Sequence, residues 1–159
     1  LGIHDIVNFD FMDSPPTEAI ISSLELLYSL GALNSKGELT GLGRKMAEFP
    51  LDPMMSRALI ASGELGCSQD ICAICSMLSI QGAIFFRPKA KQDQAERAHK
   101  TFQSDLGDHF TLLNVFRAWE EAGYSKEFCR ESYVQYRSLK SAKDIYLQLK
   151  SLLLRLNIL

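Results

Sequence analysis

Apolar residues recur at every third or fourth position over most of this chain, and no other feature constrains the fold as strongly. In an α-helix this spacing places the apolar side chains on one face, where they can pack against a core. Gly, Pro or short polar stretches interrupt the pattern and divide the chain into segments of helical length. We predict helices over approximately residues 17–30, 40–48, 53–65, 68–78, 89–102, 110–122, 125–133 and 138–156.

Residues typical of helix ends support these segments. Gly31 follows the first as a C-terminal stop, and Asp52-Pro53 starts the third because Asp caps free N–H groups and Pro is tolerated at the first helical position. The fourth segment has few polar positions, so we expect it to be the most buried helix. Three further N-caps are predicted, at Ser68, Asp108 and Ser125.

One small β-hairpin is predicted between the first two long helical segments. Ala32-Leu33 and Glu38-Leu39-Thr40 flank a polar turn that carries Gly37 where a positive φ is needed. A short helix is also expected over residues 3–9, before Pro15-Pro16 force an extended break. The predicted fold is therefore mainly α: a three-helix winged helix with a small hairpin, followed by a helical bundle.

Charge is divided unevenly along the chain, although the formal net charge is only −2. Residues 1–86 carry four Lys or Arg against ten Asp or Glu, whereas residues 87–159 carry thirteen against nine. A phosphate backbone would therefore meet the second part, and the acidic first part is better suited to protein contacts. Binding of a DNA groove by the winged helix is disfavoured for the same reason.

The four cysteines lie in segments that read as amphipathic helices. Cys72-Ala73-Ile74-Cys75 matches C-x-x-C, but no second pair of ligands follows at the spacing of a structural zinc site, and no βαβ unit surrounds it as in a redox motif. We expect buried thiols and no bound metal. Such free thiols are typical of a reducing, intracellular compartment.

Several kinds of active site lack their motifs in this sequence. No G-x-x-x-x-G-K-[ST] phosphate loop occurs, and the three histidines fall on separate segments without a recognisable nucleophile. No apolar run is long enough to span a membrane, and the start resembles no signal peptide. Because the chain begins at Leu1 and not Met, we expect it to be a piece of a longer polypeptide.

Short motifs follow one another in a distinctive order along nearly the whole chain. They include Phe9-Asp10-Phe11-Met12-Asp13, Leu30-Gly31-Ala32-Leu33, Phe49-Pro50-Leu51-Asp52-Pro53-Met54, Gly66-Cys67-Ser68, Phe86-Arg87-Pro88, Gly107-Asp108-His109, Leu112-Leu113-Asn114-Val115 and Tyr136-Arg137-Ser138-Leu139. In this order they resemble the region that follows the second RecA-like domain of DEAH-box RNA helicases. The resemblance implies a winged helix at residues 1–52 and a helical "ratchet" domain at residues 53–159.

The resemblance also implies a function for the longer protein. It would be an ATP-dependent RNA helicase of the nucleus, acting in pre-mRNA splicing or ribosome biogenesis. ATP and Mg²⁺ would bind to its RecA-like domains, so this piece would need no cofactor and carry no catalytic residue. The piece would brace the RecA-like and oligonucleotide-binding domains, form one wall of a single-stranded RNA channel, and offer the winged helix to a glycine-rich G-patch protein.

An RNA wall without sequence preference needs cations and donors for phosphates, and flat groups for bases or sugars. The candidate RNA-binding residues lie in loops and at helix starts of the second part. They are Arg87, Lys89, His109, Thr111, Asn114, Tyr136, Arg137 and Ser138.

Each candidate also has a structural interpretation. Asn114 can bind the backbone of a neighbouring helix, and Arg137 can pair with Glu131 or Asp144. Arg87 can be a solvated loop cation and His109 a structural hydrogen-bonding partner. Trp119 and Tyr133 fall at core spacing, which favours packing over base stacking. The competing function is therefore a protein-interaction scaffold that makes no direct RNA contact.

Overall fold

The computed structural model describes Ile6 and residues 9–159, and these are mainly helical. The predicted mainly α fold class is confirmed. The chain divides into two compact units, the first ending at Ile60 and the second running from Ala61 to Leu159. The predicted short helix over residues 3–9 lies largely outside the described residues.

The helices follow the predicted order. They are α1 (Thr17–Ser29), α2 (Gly41–Met46), α3 (Pro53–Glu64), α4 (Ser68–Leu78), α5 (Gln92–Lys100), α6 (Asp108–Glu121), α7 (Lys126–Glu131) and α8 (Tyr136–Arg155), with a 3₁₀ turn at Lys89–Lys91 before α5. The division between the units falls inside α3, while the predicted domain boundary after residue 52 falls at its start. That boundary stays a prediction.

In the first unit, a minimal hairpin joins α1 to α2. Leu33 and Leu39 form an antiparallel bridge, and Gly37 adopts the expected positive φ of 76°. Thr40 then connects the hairpin to α2, because its hydroxyl oxygen accepts a hydrogen bond from Gly43 N at 2.9 Å. The same hydroxyl donates to Gly31 O at 2.7 Å. One side chain thus caps α2 and holds the end of α1.

The start of α3 is built as the sequence indicates. The Asp52 carboxylate accepts a hydrogen bond from Met55 N at 3.0 Å, and Pro53 is the first helical residue. The cap satisfies an N–H group that has no partner inside the helix.

In the second unit, α4 is the central helix. Seven of its eleven residues are buried, which confirms the expectation from its apolar sequence. It packs mainly against α8 and α6, and the Cys72 thiol donates to Tyr146 O of α8 at 3.6 Å. Large side chains from the two partner helices complete the core, among them Phe116, Trp119, Leu139, Leu149 and Leu153.

Two of the predicted N-caps are wrong by one residue. Cys67 and Gly107 occupy the cap positions of α4 and α6, so Ser68 and Asp108 are the first helical residues. Small polar and acidic residues favour the first turn as well as the cap, since both positions lie beside free N–H groups. The third prediction is confirmed, because the Ser125 hydroxyl accepts from Phe128 N at 3.0 Å.

The charged segment after Pro88 is less solvated than its composition suggests. It forms the 3₁₀ turn and then α5, on which Ala95 and His99 are buried on one face. Most residues over 89–102 are nevertheless exposed, as predicted for a solvated helix, and the α-helix itself begins at Gln92 and not at Lys89. Helix α8 also begins two residues before the predicted start at Ser138.

The cysteines lie mostly in the core. Cys72, Cys75 and Cys129 are buried and Cys67 is half-buried. Burial raises the pKa of Cys72 to about 12 and that of Cys129 to about 11. Among the described residues no cluster of three or more His, Cys, Asp or Glu side chains is arranged to hold a metal ion. Within the same residues no helix combines the length and apolarity needed to cross a membrane.

Alkylation with iodoacetamide at pH 8 should label Cys67 well before Cys72 and Cys129. The thiolate is the reactive form, and a buried thiol with a raised pKa is both protonated and inaccessible. Mass spectrometry of the folded chain over time measures the order, and a Cys67→Ser variant should lack the fast phase. Fast labelling of Cys72 in folded protein would contradict the packing of α4.

Replacing Gly43 with Ala should destabilise the first unit by about 1–3 kcal/mol or more, as overpacking does. A Cβ at this position would lie 2.2 Å from Ala32 O, a backbone atom that cannot move without shifting the hairpin. Chemical denaturation followed by circular dichroism measures the change.

Gly41 provides the matched control in the same helix. A Cβ there meets nothing within 4 Å, so Gly41→Ala should leave stability unchanged or raise it by about 0.4–1 kcal/mol. Equal stability of the two variants would show that α2 does not approach the hairpin this closely.

Candidate nucleic-acid interface

A short antiparallel pairing between two distant segments organises the candidate site. Phe86 N donates to Tyr133 O at 3.0 Å and Gln135 N donates to Ile84 O at 2.7 Å. Phe85 and Val134 form the bridge between these hydrogen bonds. This pairing is not among the predicted elements, although β-branched and aromatic residues at Ile84, Phe85 and Phe86 are a signal for extended structure.

The pairing places the candidate residues Arg87 and Arg137 at its two ends. Ala83 lies at the end that faces α8, because Ser138 Oγ donates to Ala83 O at 2.9 Å. Arg87 follows the paired residues at the opposite end, beyond the hydrogen bond between Phe86 N and Tyr133 O. The two arginines are therefore described as parts of two groups.

The first group contains Arg87 and Lys89, both exposed. The backbone that carries them is held firmly by the residues around it. The ring of His99 contacts that of Phe85, with centroids 4.5 Å apart, and its Nε2 donates to Tyr133 O at 3.0 Å. The Tyr133 hydroxyl donates to Gln94 Oε1 at 3.0 Å. The exposed cations thus directly follow a segment that these contacts hold in place.

The second group lines a groove of about 290 Å³ between the end of α4 and the start of α8. Its lining residues are Ser79, Ile80, Gln81, Arg137, Ser138, Ser141 and Ile145. Arg137 is exposed, and within the described part of the chain it forms no salt bridge with Glu131 or Asp144. Two predicted residues, the consecutive Arg137 and Ser138, therefore line the same groove.

The ring of Tyr136 packs against other side chains of the fold. Its ring lies edge-on to that of Trp119, with centroids 6.2 Å apart, and Lys126 Nζ lies 5.2 Å from its centroid. Trp119 itself is buried and donates from its indole nitrogen to Ser125 O at 3.1 Å. The expected packing role of Trp119 is confirmed, and the ring of Tyr136 belongs to the same cluster.

The third group, at the start of α6, secures a loop. Thr111 Oγ1 accepts from Ser104 N at 3.0 Å, and Asn114 Nδ2 donates to Phe102 O at 3.0 Å. Both side chains therefore fasten the connection between α5 and α6. The structural interpretation of Asn114, a bond to neighbouring backbone, is realised in this geometry. His109 is exposed on the first turn of α6.

Not every cation of the second unit is available to a ligand. Lys143 Nζ lies 3.3 Å from the ring centroid of Tyr124, and Lys150 Nζ lies 5.8 Å from that of Tyr146. Arg117 is paired with Asp70. These contacts stabilise the fold through cation–π and ionic attraction. The exposed cations nearest the predicted interface are Arg87, Lys89, Lys91, Arg137 and Lys140.

The Asn114→Ala substitution should lower the free energy of unfolding by about 1 kcal/mol, because it leaves Phe102 O without its hydrogen bond. Amide exchange in the loop over residues 103–107 should become faster. Denaturation and hydrogen exchange measure the two effects, with Gln148→Ala on an exposed face of α8 as control. Unchanged stability combined with weakened RNA binding would contradict the structural role.

Two family models match consecutive parts of the chain. The winged-helix model of the helicase associated domain (HA2) matches residues 23–51, and the ratchet-like model of the same domain matches residues 52–112. Together they span more than half of the chain and include Arg87, Lys89 and the start of α6. The chain therefore belongs to the helicase-associated HA2 family, whose winged-helix and ratchet-like domains are found in the C-terminal region of DEAH-box RNA helicases.

Proposed function

We propose that this helicase-associated chain forms one wall of the single-stranded RNA channel of an ATP-dependent DEAH-box RNA helicase. The observation that carries the proposal is the exposure of Arg87 and Lys89 directly after the segment that pairs with residues 133–135. Lys91 adds a third exposed cation in the following turn. Three cations within five residues suit a run of phosphates, and a fixed backbone reduces the entropy that binding would cost.

The contacts in this proposal are independent of base sequence. Cations attract phosphates whatever bases they carry, and no exposed aromatic ring among the candidate residues is positioned by the fold to read a base edge. Such contacts suit a motor that moves along any RNA. Together with membership of the helicase-associated family, these contacts support single-stranded RNA, held through its backbone, as the substrate.

Catalysis belongs, in this proposal, to other domains of the same protein. ATP and Mg²⁺ bind between RecA-like domains, and an oligonucleotide-binding domain completes the channel. The winged helix braces these domains. The resemblance of the motifs to DEAH-box helicases further supports a nuclear role in pre-mRNA splicing or ribosome biogenesis.

A second candidate function, docking of a G-patch-type protein on the winged helix, is favoured by the exposed face of α1. No residue of α1 is buried, although its apolar residues recur at helical spacing. Leu24, Tyr28 and Leu33 line a groove of about 360 Å³ beside it. Among the described residues of the first unit this face is at most half-buried, less than an amphipathic helix normally is.

The Arg87→Ala, Lys89→Ala double variant should weaken RNA binding by the full-length helicase and reduce its RNA-stimulated ATPase, while basal ATPase stays near normal. Each lost phosphate contact should make the dependence of log Kd on log salt concentration shallower by about 0.7. Fluorescence anisotropy with labelled oligouridylate at several salt concentrations measures both quantities.

A Lys36→Ala, Arg44→Ala variant is the matched control, since it removes the same charge from exposed positions of the first unit. It should retain both RNA affinity and salt dependence. If the two double variants bind RNA equally well, the assignment of Arg87 and Lys89 is wrong. RNA binding that is absent even at low salt would instead favour the protein-docking function.

A further inference from the structure

We propose that the groove between the end of α4 and the start of α8 recognises the ribose of RNA and thereby discriminates RNA from DNA. The inference rests on the proposed RNA-channel function and extends it, because phosphate contacts alone do not distinguish the two nucleic acids. The recognised group is the 2′-hydroxyl, which donates its one proton to the oxygen of either Ser79 or Ser138.

Each of the two serine hydroxyls already donates its proton to a backbone carbonyl oxygen. Ser79 Oγ donates to Cys75 O at 2.7 Å, and Ser138 Oγ donates to Ala83 O at 2.9 Å. A hydroxyl has one proton and two lone pairs, so each oxygen remains only as an acceptor. Both residues line the groove. The groove therefore offers two hydrogen-bond acceptors. A ligand that binds there needs a hydrogen-bond donor.

A ribose supplies that donor and a deoxyribose does not. The 2′-hydroxyl can donate to a serine oxygen, whereas phosphate oxygens are acceptors and gain nothing from one. Arg137, exposed in the lining of the same groove, provides donors for the adjacent phosphate. Ile80 and Ile145 add apolar surface for the carbon face of the sugar. The lining thus complements the sugar and the phosphate of one ribonucleotide unit.

The acceptor at Ser138 is fixed by the backbone pairing of the interface. Gly82 adopts a φ of 132°, which side chains disfavour, and the chain then presents Ala83 O to the serine. The Gln135 N bond to Ile84 O, at 2.7 Å, holds the start of α8 against the same segment. Because the acceptor is held before the ligand arrives, binding needs little reordering.

The first test changes the ligand and leaves the protein intact. Uridine decamers carrying a 2′-hydroxyl, a 2′-O-methyl group or a 2′-hydrogen are titrated into the full-length helicase. The native RNA should bind several-fold more tightly than the other two, since the methyl ether keeps the ribose shape but has no proton to donate. Equal affinity of native and 2′-O-methyl RNA would overturn the proposal.

The second test changes the groove. Ser79→Ala with Ser138→Ala should reduce RNA affinity to that of DNA and leave DNA affinity unchanged, whereas Arg137→Ala should weaken both. Ser151→Ala, at an exposed position further along α8, is the control and should retain the preference. Circular dichroism verifies that the double variant is folded. If the double variant is not folded, the test rests on the affinities of the three uridine decamers for the unmodified protein.

Failure of this inference is distinguishable from failure of the proposed function. Salt-dependent RNA binding that requires Arg87 and Lys89 but shows no ribose preference would overturn the ribose site alone. No binding of RNA or DNA by the full-length protein at low salt would overturn both.

Discussion

The pairing of residues 84–86 with residues 133–135 is the interaction on which the candidate interface depends. Two backbone hydrogen bonds and one bridge join segments about fifty residues apart in sequence. They set the start of α8 against the chain that leaves α4, and so form the groove at Arg137. They also determine that Arg87 projects from the other end. Without this pairing the segment that carries Arg87 would not be held against the start of α8.

Most of the fold follows from local patterns in the sequence. Apolar spacing places the helices, and Thr40, Asp52 and Ser125 cap them by bonds to nearby N–H groups. The cap at Ser125 can be predicted, but those at Ser68 and Asp108 cannot be distinguished from the first helical residue. The reason is physical: a short polar side chain is stabilised at both positions by the same free N–H groups.

The candidate site was less predictable because its geometry is set by contacts that are distant in sequence. The composition of the loop indicates cations at Arg87 and Lys89, and helix starts indicate Arg137 and Ser138. Their division into two groups depends on the single bridge between Phe85 and Val134. One bridge produces no periodic pattern in the sequence by which it could be predicted. The structural bond of Asn114 to Phe102 O was foreseen only as an alternative, since a lone polar residue does not reveal its partner.

The direction of the bridge hydrogen bonds has a mechanical consequence. In an antiparallel pair these bonds run perpendicular to the strands. A pull directed along residues 83–87 would therefore load both bonds in shear and at the same time, and would not peel them apart one after the other. Tension applied along this segment would therefore reach the start of α8 through both bonds together.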